Sequence, residues 1–347
     1  MNLNRQGKCE RRGERVVFIS IFNALESGVI YAIMALGVYL SFRVLDFPDL
    51  TVDGSFVTGA AVAALSITNG MSTILATLLA LVAGFIAGAI TGILNTKGKI
   101  NPLLSGILMM TGLYSINLRI MGQSNIPLLN EATLFTKLTD HWSKLGIDQA
   151  ISQLLTSLGL DRVPRTWAIL IVMLLVTILI KLILDYVLKT ELGLALRATG
   201  DNENMIRSFS ANTDYLKILG LGLSNALVAV SGALYAQYAG FADLNMGIGM
   251  IVIGLASVII GESVIGTKTI TRTTLAIIIG AIIYRIVMTL ALRTPFLDTG
   301  DMKLITSILV IIALVLPKLM TSHKELKRKK LKRIELEHRL KGGAKSC

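Results

Sequence analysis

Long apolar runs alternate with short polar stretches along nearly the whole chain. Many of these runs reach 18 or more residues, which is the length a helix needs to cross a hydrocarbon core of roughly 30 Å. The pattern therefore predicts membrane-spanning helices, with candidate spans at about 16–42, 71–94, 102–121, 166–188, 214–240, 246–261, 271–292 and 302–317.

Composition agrees with the membrane prediction. Of 347 residues, 53% are hydrophobic and only 16% are charged, and the mean hydropathy of +0.68 is too high for a soluble domain. The expected fold class is an all-α polytopic membrane protein with about eight to ten transmembrane helices. The prolines support the boundaries, because they fall at or between the ends of the runs: Pro48, Pro102, Pro127, Pro164, Pro295 and Pro317.

One apolar region, 43–69, is interrupted by polar residues. Asp46, Asp49 and Asp53, together with Pro48, prevent a continuous apolar helix there. Irregular backbone at membrane depth is stable only where protein or water satisfies it, so such breaks often line a pathway. The sequence therefore predicts a broken or re-entrant segment. The alternative is an ordinary external turn followed by a short span.

A second pattern concerns small residues. The stretch "GFIAGAITG" places Gly84, Gly88 and Gly92 four residues apart, on one face of a helix. This spacing predicts close contact with a neighbouring helix and carries no information about substrate.

The net charge of +12 is concentrated at the two ends of the chain. Residues 1–15 carry five basic and two acidic side chains, and 319–347 carry ten basic and three acidic ones. Basic segments next to the first and last spans are typical of cytoplasmic tails, so nucleic-acid binding is not expected. The C-terminal tail either only sets topology or also contacts anionic lipid. The resulting division is a tail at 1–15, a transmembrane domain at 16–318 and a tail at 319–347.

Two cytoplasmic tails require an even number of crossings. Eight spans meet this condition if 43–69 enters the membrane from outside and leaves on the same side. The loop at 122–165 is then external and the loop at 189–213 is cytoplasmic. Ten crossings are possible if one long segment is split.

Motifs for chemistry within the chain are missing from the sequence. "GILNTKGK" and "GESVIGTK" do not have the spacing of a phosphate-binding loop. Cys9 and Cys347 stand alone in the two tails, and no metalloprotease or hydrolase motif occurs. We therefore predict no catalytic residue, no metal and no cofactor in this chain.

Few ionisable residues fall deep within the runs: Glu26, Arg119, Glu262 and Arg285. Arg285 lies in mid-span, where an unpaired charge costs at least about 2.5 kcal/mol, so we expect Glu262 or Glu26 as its partner. A structural ion pair, a pathway residue and a side chain reaching the membrane surface all remain possible for it.

The stretch "ELGLALRATGDNENMIRSFSAN", from Glu191 to Asn212, is a polar insert between two spans. It contains no Pro and only two Gly, which indicates short helices joined by a turn. Asp201, Asn202 and Glu203 suit a helix N-terminus.

This insert and its surroundings resemble a known family. "ELGLALRATGDNENMIRSFSANTDYLKILGLGLSNALVAVSGALYAQYAG" is similar to the corresponding region of branched-chain amino acid type ABC importer permeases. "FRVLDFPDLTVDGSFVTGAAVAA" is closer to one branch, the tryptophan/tyrosine transport permeases. The resemblance covers about residues 20–320 and excludes the tails. The loop after "GLASVIIGESVIG" has fewer glycines than the family usually shows.

The resemblance implies a set of partners and roles. The chain would be the permease subunit of an importer, forming a homodimer or pairing with a similar subunit. A separate ATPase would bind the ATP, and an extracytoplasmic solute-binding protein would dock outside, where 122–165 is either its docking surface or a simple amphipathic cap. The insert would contact the ATPase through Asp201, Asn202, Glu203, Met205, Ile206 and Phe209, the last three as apolar anchors on one helix face. The translocation path would include Asp46, Asp49, Asp53, Thr58 and Asn245.

Two other classes of function compete with this one. An autonomous ion-coupled transporter or channel would need mid-span carboxylates, for which only Glu26 and Glu262 qualify, and would leave the insert without a purpose. A membrane enzyme would need a convergent set of catalytic groups, which the sequence lacks. The substrate is expected to be an amino acid, aromatic by resemblance to the branch alone, with branched-chain amino acids, nucleosides and other small polar solutes still open.

Overall fold

The computed structural model describes the backbone of residues 3–144, 148, 166–209 and 211–292, with short pieces at 304–308, 311 and 315. Side chains are described from Phe18 onward. The C-terminal tail at 319–347, most of the predicted span at 302–317 and a large part of the loop at 122–165 lie outside the described residues.

Helices form nearly all of the described chain. In order, they are α1 (Leu3–Tyr39), a π-helix (Leu40–Val44), α2 (Thr51–Thr68), α3 (Thr73–Thr96), α4 (Pro102–Met121), α5 (Leu134–Lys144), α6 (Ala168–Lys189), α7 (Glu191–Asp201), α8 (Glu203–Ser208), α9 (Thr213–Ala239), a 3-10 helix (Leu244–Gly247), α10 (Met250–Ile265) and α11 (Ile270–Ala291). Two short strands, β1 (Asn125–Pro127) and β2 (Phe241–Asp243), pair antiparallel, with Ile126 opposite Ala242.

The membrane prediction is confirmed. Within the described residues, eight helical segments are long and apolar enough to cross a bilayer: Phe18–Val44, Thr51–Thr68, Thr73–Thr96, Pro102–Met121, Ala168–Lys189, Thr213–Ala239, Leu244–Ile265 and Ile270–Ala291. Seven of them coincide with predicted runs, and Thr51–Thr68 is additional. The first span is mostly buried by other helices, whereas α3, α4 and α6 expose rows of Leu and Ile.

The predicted break is present, but it is shorter than expected. The first span ends in the π-helix, and irregular backbone follows from Leu45 to Leu50. Asp46 has a φ of 50°, a left-handed conformation that Asp adopts more readily than most residues. From Thr51 to Thr68 the chain is one uninterrupted helix of 18 residues. This favours the turn and short span of the second alternative, although the turn is not at the external end that this alternative assumed.

The side on which the break lies is a correction to the sequence analysis. At one end of α1, Phe22 packs edge-on against Trp167, with ring centroids 4.8 Å apart. At the other end of the same span, Val44 and Leu45 lie directly against Gly200 of the polar insert. The break is therefore at the same end as the insert, whereas the even-crossing argument placed it at the opposite end.

The physical reason for the error is that α2 is itself a membrane crossing. An additional crossing reverses the direction of α1 relative to every later span. Since α1 is continuous from Leu3, the start of the chain's first span lies at the end opposite the insert. The expectation that the N-terminal tail and the insert share one side therefore does not hold for this arrangement.

This arrangement predicts a labelling pattern. In a Cys9→Ser/Cys347→Ser background, single cysteines at Leu129 and Asn204, both exposed, should react with a membrane-impermeant maleimide from opposite faces of the membrane. With Cys9 restored as the single cysteine, labelling should occur from the same face of the membrane as for a cysteine at position 129. Labelling of Cys9 from the same face as position 204 would contradict the direction of α1.

The centre of the bundle is the contact of α9 with α2 and α3. A Cβ atom at Gly59 would lie 1.9 Å from the Ala229 carbonyl oxygen, and one at Gly88 would lie 2.2 Å from that of Leu221. Gly84 and Gly92 are also in direct contact with α9. The close helix contact predicted from the glycine spacing is thus confirmed.

Candidate functional site

The polar insert folds as two short helices, α7 and α8, joined at Asn202. The Thr190 side chain accepts a hydrogen bond from the Gly193 N–H at the start of α7, and Asn202 accepts one from the Met205 N–H (3.1 Å) at the start of α8. These are the residue types that cap helix N-termini. The predicted helix N-terminus is confirmed for Asn202 and Glu203, whereas Asp201 is the last residue of α7.

The first helix of the insert is fixed to the core. Leu196 is fully buried, and a Cβ atom at Gly200 would lie 2.2 Å from the Val44 carbonyl oxygen. Leu45 also contacts Gly220 of α9. Because these contacts are tight and partly backbone to backbone, α7 cannot move without the end of the buried first span.

The second helix is held by charged side chains. Glu203 contacts Lys217 of α9 (Oε2–Nζ 2.7 Å) and Arg207 within α8 (3.1 Å). Arg207 also reaches Asp214, at 3.3 Å. Exposed pairs of this kind contribute only about 0.2–1 kcal/mol each, so they orient α8 on α9 more than they stabilise the fold.

The apolar residues of α8 differ in exposure. Met205 and Phe209 are 50% and 74% exposed, whereas Ile206 is half-buried. The sequence analysis placed all three on one outward face, but Ile206 is turned further towards the protein. Two exposed apolar side chains on a well-anchored helix are what a helix-in-groove contact needs. Their role towards an ATPase stays a prediction.

An open cavity of about 610 Å³ lies beside α8. Its walls come from the end of α3, the α3–α4 turn and the start of α9, and they include Lys99, Glu203, Arg207, Asp214 and Lys217. The insert therefore meets the turn at residues 97–101 across a polar, solvent-filled space. Charged walls of both signs make it suitable for polar contacts and unsuitable for lipid.

Asp49 is the most buried carboxylate of the break. It has no exposed surface, and it accepts hydrogen bonds from the Asn225 amide (2.6 Å) and the Thr51 N–H (2.9 Å). Thr51 in turn shares a hydrogen bond of 2.8 Å with Thr91 of α3. Asp49 therefore joins the break to α9 and α3. These hydrogen bonds fix the conformation of the break.

Replacing Asp49 by alanine should destabilise the protein by about 3 kcal/mol or more. The change removes the acceptor of the Thr51 N–H and one of the two acceptors of the Asn225 amide, the other being the Leu221 carbonyl. Each donor left unpaired in the buried site costs about 1–3 kcal/mol. Asp46→Asn is the matched control, because Asp46 is exposed and Asn also tolerates a positive φ. Thermal unfolding in detergent would measure the difference. Equal midpoints for the two variants would contradict this account.

Asp53 connects α2 to the start of α10. Its two carboxylate oxygens accept hydrogen bonds from the Gly249 N–H (2.9 Å) and the Ile251 N–H (2.8 Å). Gly249 has a φ of 84° and supplies no capping side chain. A carboxylate at a helix N-terminus is favourable because it satisfies free N–H groups and opposes the helix dipole.

The remaining path candidates lie in different surroundings. Asp46 is exposed at the break, and Asn245 is exposed in the 3-10 helix. Thr58 is buried and donates to the Gly54 carbonyl at 2.9 Å. The structure thus groups Asp53 with the region of Asn245, and Thr58 bonds the carbonyl of Gly54 next to Asp53, whereas Asp46 is exposed at the break. Their role in a path stays a prediction.

The expected partner of Arg285 is a further correction. Glu262 forms an ion pair with Arg43 of the π-helix, and Glu26 accepts a hydrogen bond from the Tyr238 hydroxyl at 3.0 Å. Arg285 instead lies over the Tyr31 ring, 4.2 Å from its centroid. A cation over an aromatic face is worth up to about 2 kcal/mol when desolvated, so π-electrons replace the expected carboxylate. Arg119, the other deep candidate, is exposed near the end of α4.

Sequence reasoning missed the partners that lie on other helices. The role of Asn225 towards Asp49 depends on a contact between residues 176 positions apart. Asn117 of α4 drew no attention, although it is 1% exposed and donates to the Gly54 carbonyl at 3.2 Å. A buried amide within an apolar run is the only signal that could have pointed to either residue.

Comparisons with known proteins agree with this architecture. The family model described as "Branched-chain amino acid transport system / permease component" matches residues 20–315. The chain is 43% identical to the tyrosine transport system permease protein of Clostridioides difficile (strain R20291), over 84% of this chain and 89% of that protein. It is 34% identical to protein RP368 of Rickettsia prowazekii (strain Madrid E), over 85% of this chain and 96% of that protein.

Among solved structures, PsaBC from Streptococcus pneumoniae in complex with Fab aligns with a TM-score of 0.47 and 13% identity, over 84% of this chain and 90% of that one. That likeness is too distant to bear on function. The family match covers most of the chain, including both the break and the polar insert. The chain is a multi-pass membrane protein and belongs to the branched-chain amino acid transport system permease family.

Proposed function

We propose that this protein is the transmembrane permease subunit of an ATP-driven importer for a small solute. The observation that carries the proposal is the polar insert. It is anchored by Leu196 and Gly200 to the end of the buried first span, and it presents Met205 and Phe209 outward. A rigid link between an exposed docking helix and the bundle core would transmit the closure of an ATPase to the membrane helices.

The proposal includes partners and orientation. A separate ATPase subunit binds ATP and contacts α8 from the cytoplasm, so the start of α1 is extracytoplasmic. A solute-binding protein docks at that opposite end, near Trp167 and β1. The permease works as a homodimer or paired with a similar subunit, and it holds no cofactor of its own.

The substrate is proposed to be an aromatic amino acid. The relative from Clostridioides difficile is named a tyrosine transport system permease, and the match covers 84% of this chain and 89% of that protein. At 43% identity over most of both chains, a shared class of solute is a reasonable expectation.

The ion-coupled transporter is the alternative, and two contacts weigh against it. Such a transporter needs a carboxylate that is free to bind and release an ion. Glu262 is paired with Arg43, and Glu26 is engaged by Tyr238. In addition, an ion-coupled mechanism would give the polar insert no role.

Co-purification tests the proposal. The tagged full-length chain, extracted gently from its native membrane, should bring an ATPase subunit with it, and the complex should hydrolyse ATP. The same chain expressed without its partners should show no ATPase activity. If the chain is recovered folded and no ATPase accompanies it, the importer assignment fails.

A further inference from the structure

A small cavity lies beside Asp53, between α2, α4 and the 3-10 helix. Its volume is about 270 Å³, below the range of about 300–1,000 Å³ typical of sites for drug-sized ligands. Two of its lining residues, Tyr114 and Ile248, are 52% and 55% exposed, and we place the mouth of the cavity beside them. A solute of amino-acid size would suit this space.

The inner wall of the cavity carries hydrogen-bond acceptors. Each Asp53 oxygen accepts one backbone N–H, and a carboxylate oxygen can accept a further hydrogen bond. Asn117 lines the same cavity, is 1% exposed, and its Oδ1 has no hydrogen-bond partner among the described residues. Its Nδ2 donates to Gly54, the residue next to Asp53, so the amide and the carboxylate are neighbours.

The other walls are apolar or aromatic. They are formed by Val57, Met110, Tyr114, Leu244 and Ile248, together with Thr111 and two glycines. No Lys or Arg is among the described residues that line the cavity. Asp53 is thus the one charged side chain on the described walls, and a buried acceptor beside it lacks a donor.

We propose that this cavity is a solute site of the permease, in which Asp53 and Asn117 bind a protonated amine and the apolar walls hold an apolar or aromatic side chain. The proposal rests on the function proposed above and specifies the class of solute. An ammonium group has three donors, which suits the free acceptor positions of the Asp53 carboxylate and the Asn117 Oδ1. Charge-assisted hydrogen bonds of this kind are the stronger ones in proteins.

The test uses radiolabelled tyramine and the purified permease–ATPase complex. Tyramine has the amine and the aromatic ring but no carboxylate, so it isolates the two features that the cavity recognises. Binding should be saturable and displaced by unlabelled tyramine and L-tyrosine. The amine-free analogue 4-hydroxyphenylpropionate should not displace it.

Three variants should weaken tyramine binding at least tenfold: Asn117→Leu, Asp53→Asn and Ile248→Trp. The first removes the amide acceptor, together with the amide donor to Gly54, and keeps the branched shape of the side chain. The second removes the charge and keeps one side-chain oxygen to accept a backbone N–H of α10, while an NH2 donor replaces the other oxygen. The third fills the mouth of the cavity. Val264→Trp is the control, because Val264 is 61% exposed at the far end of α10.

The outcomes separate this proposal from the importer assignment. If the ATPase co-purifies but tyramine does not bind, or 4-hydroxyphenylpropionate displaces it equally, the solute site is wrong and the importer assignment is unaffected. Equal tyramine affinity in the Ile248→Trp, Asn117→Leu and native proteins would also overturn the site. Tyramine binding that shows the expected variant pattern in a chain that recruits no ATPase would support the site and reject the importer.

Discussion

The double substitution Met205→Ala/Phe209→Ala is expected to abolish recovery of the ATPase subunit with the tagged permease. Met205 lies on α8 and Phe209 directly follows that helix, four positions later, and Phe209 is the more exposed of the two side chains. Apolar anchors that fill a groove on a partner typically cost about 2 kcal/mol each when truncated. The pair should therefore raise the dissociation constant by roughly a hundredfold or more.

The insert itself should survive this change. Asn202 caps α8 through its own side chain, and Glu203 and Arg207 hold the helix on α9 through charges that the substitutions do not touch. The loss would thus report on docking, provided that the variant elutes as a single folded species.

Two controls sharpen the experiment. Leu129→Ala removes an equally apolar side chain that is 82% exposed at the opposite end of the bundle, and it should leave ATPase recovery unchanged. Ile206→Ala should have a smaller effect on recovery than either anchor, because Ile206 is half-buried. Unchanged recovery of the ATPase with the folded double variant would show that α8 is not the docking helix.

The second large effect is expected from Gly59→Ala. A Cβ atom at this position would lie 1.9 Å from the Ala229 carbonyl oxygen, 2.5 Å from its carbonyl carbon and 2.6 Å from its Cα atom. Backbone cannot rotate away as a flexible side chain can, so α2 and α9 must separate. Overpacking usually costs about 1–3 kcal/mol, and contact with backbone places this change at about 3 kcal/mol or above.

Gly112→Ala provides the matched control. Gly112 is also in the interior of a membrane helix, but a Cβ atom there would meet nothing within 4 Å. Both substitutions improve intrinsic helix propensity by a similar amount, so a difference between them measures the contact with α9.

Thermal unfolding of the two variants in the same detergent is the appropriate measurement. The midpoint should fall clearly for Gly59→Ala and stay near the native value for Gly112→Ala. If both variants unfold at the native temperature, the close approach of α2 and α9 does not exist in the protein.

Local pattern was sufficient for much of the fold. The apolar runs predicted seven of the eight spans within the described residues, because the length of a membrane helix follows from bilayer thickness. The spacing of Gly84, Gly88 and Gly92 predicted the α3–α9 contact, since residues four apart share one helix face. Asn202 at the start of α8 followed from the chemistry of helix caps.

Other features required the three-dimensional arrangement. The direction of α1 depends on whether α2 crosses, and the sequence at 43–69 permits either case. The charges at the two ends of the chain could not decide between them. The partner of Arg285 is an aromatic ring, which no rule for pairing opposite charges would select.

The candidate sites divide in the same way. The polar insert and the carboxylates that interrupt the apolar runs can be identified from the sequence, because these are local properties of composition and spacing. The contacts of Asp49 with Asn225, of Asp53 with the start of α10, and of Asn117 with the cavity of Asp53 appear only in the folded chain. These contacts link residues far apart in the chain, and their geometry is set by how the helices pack.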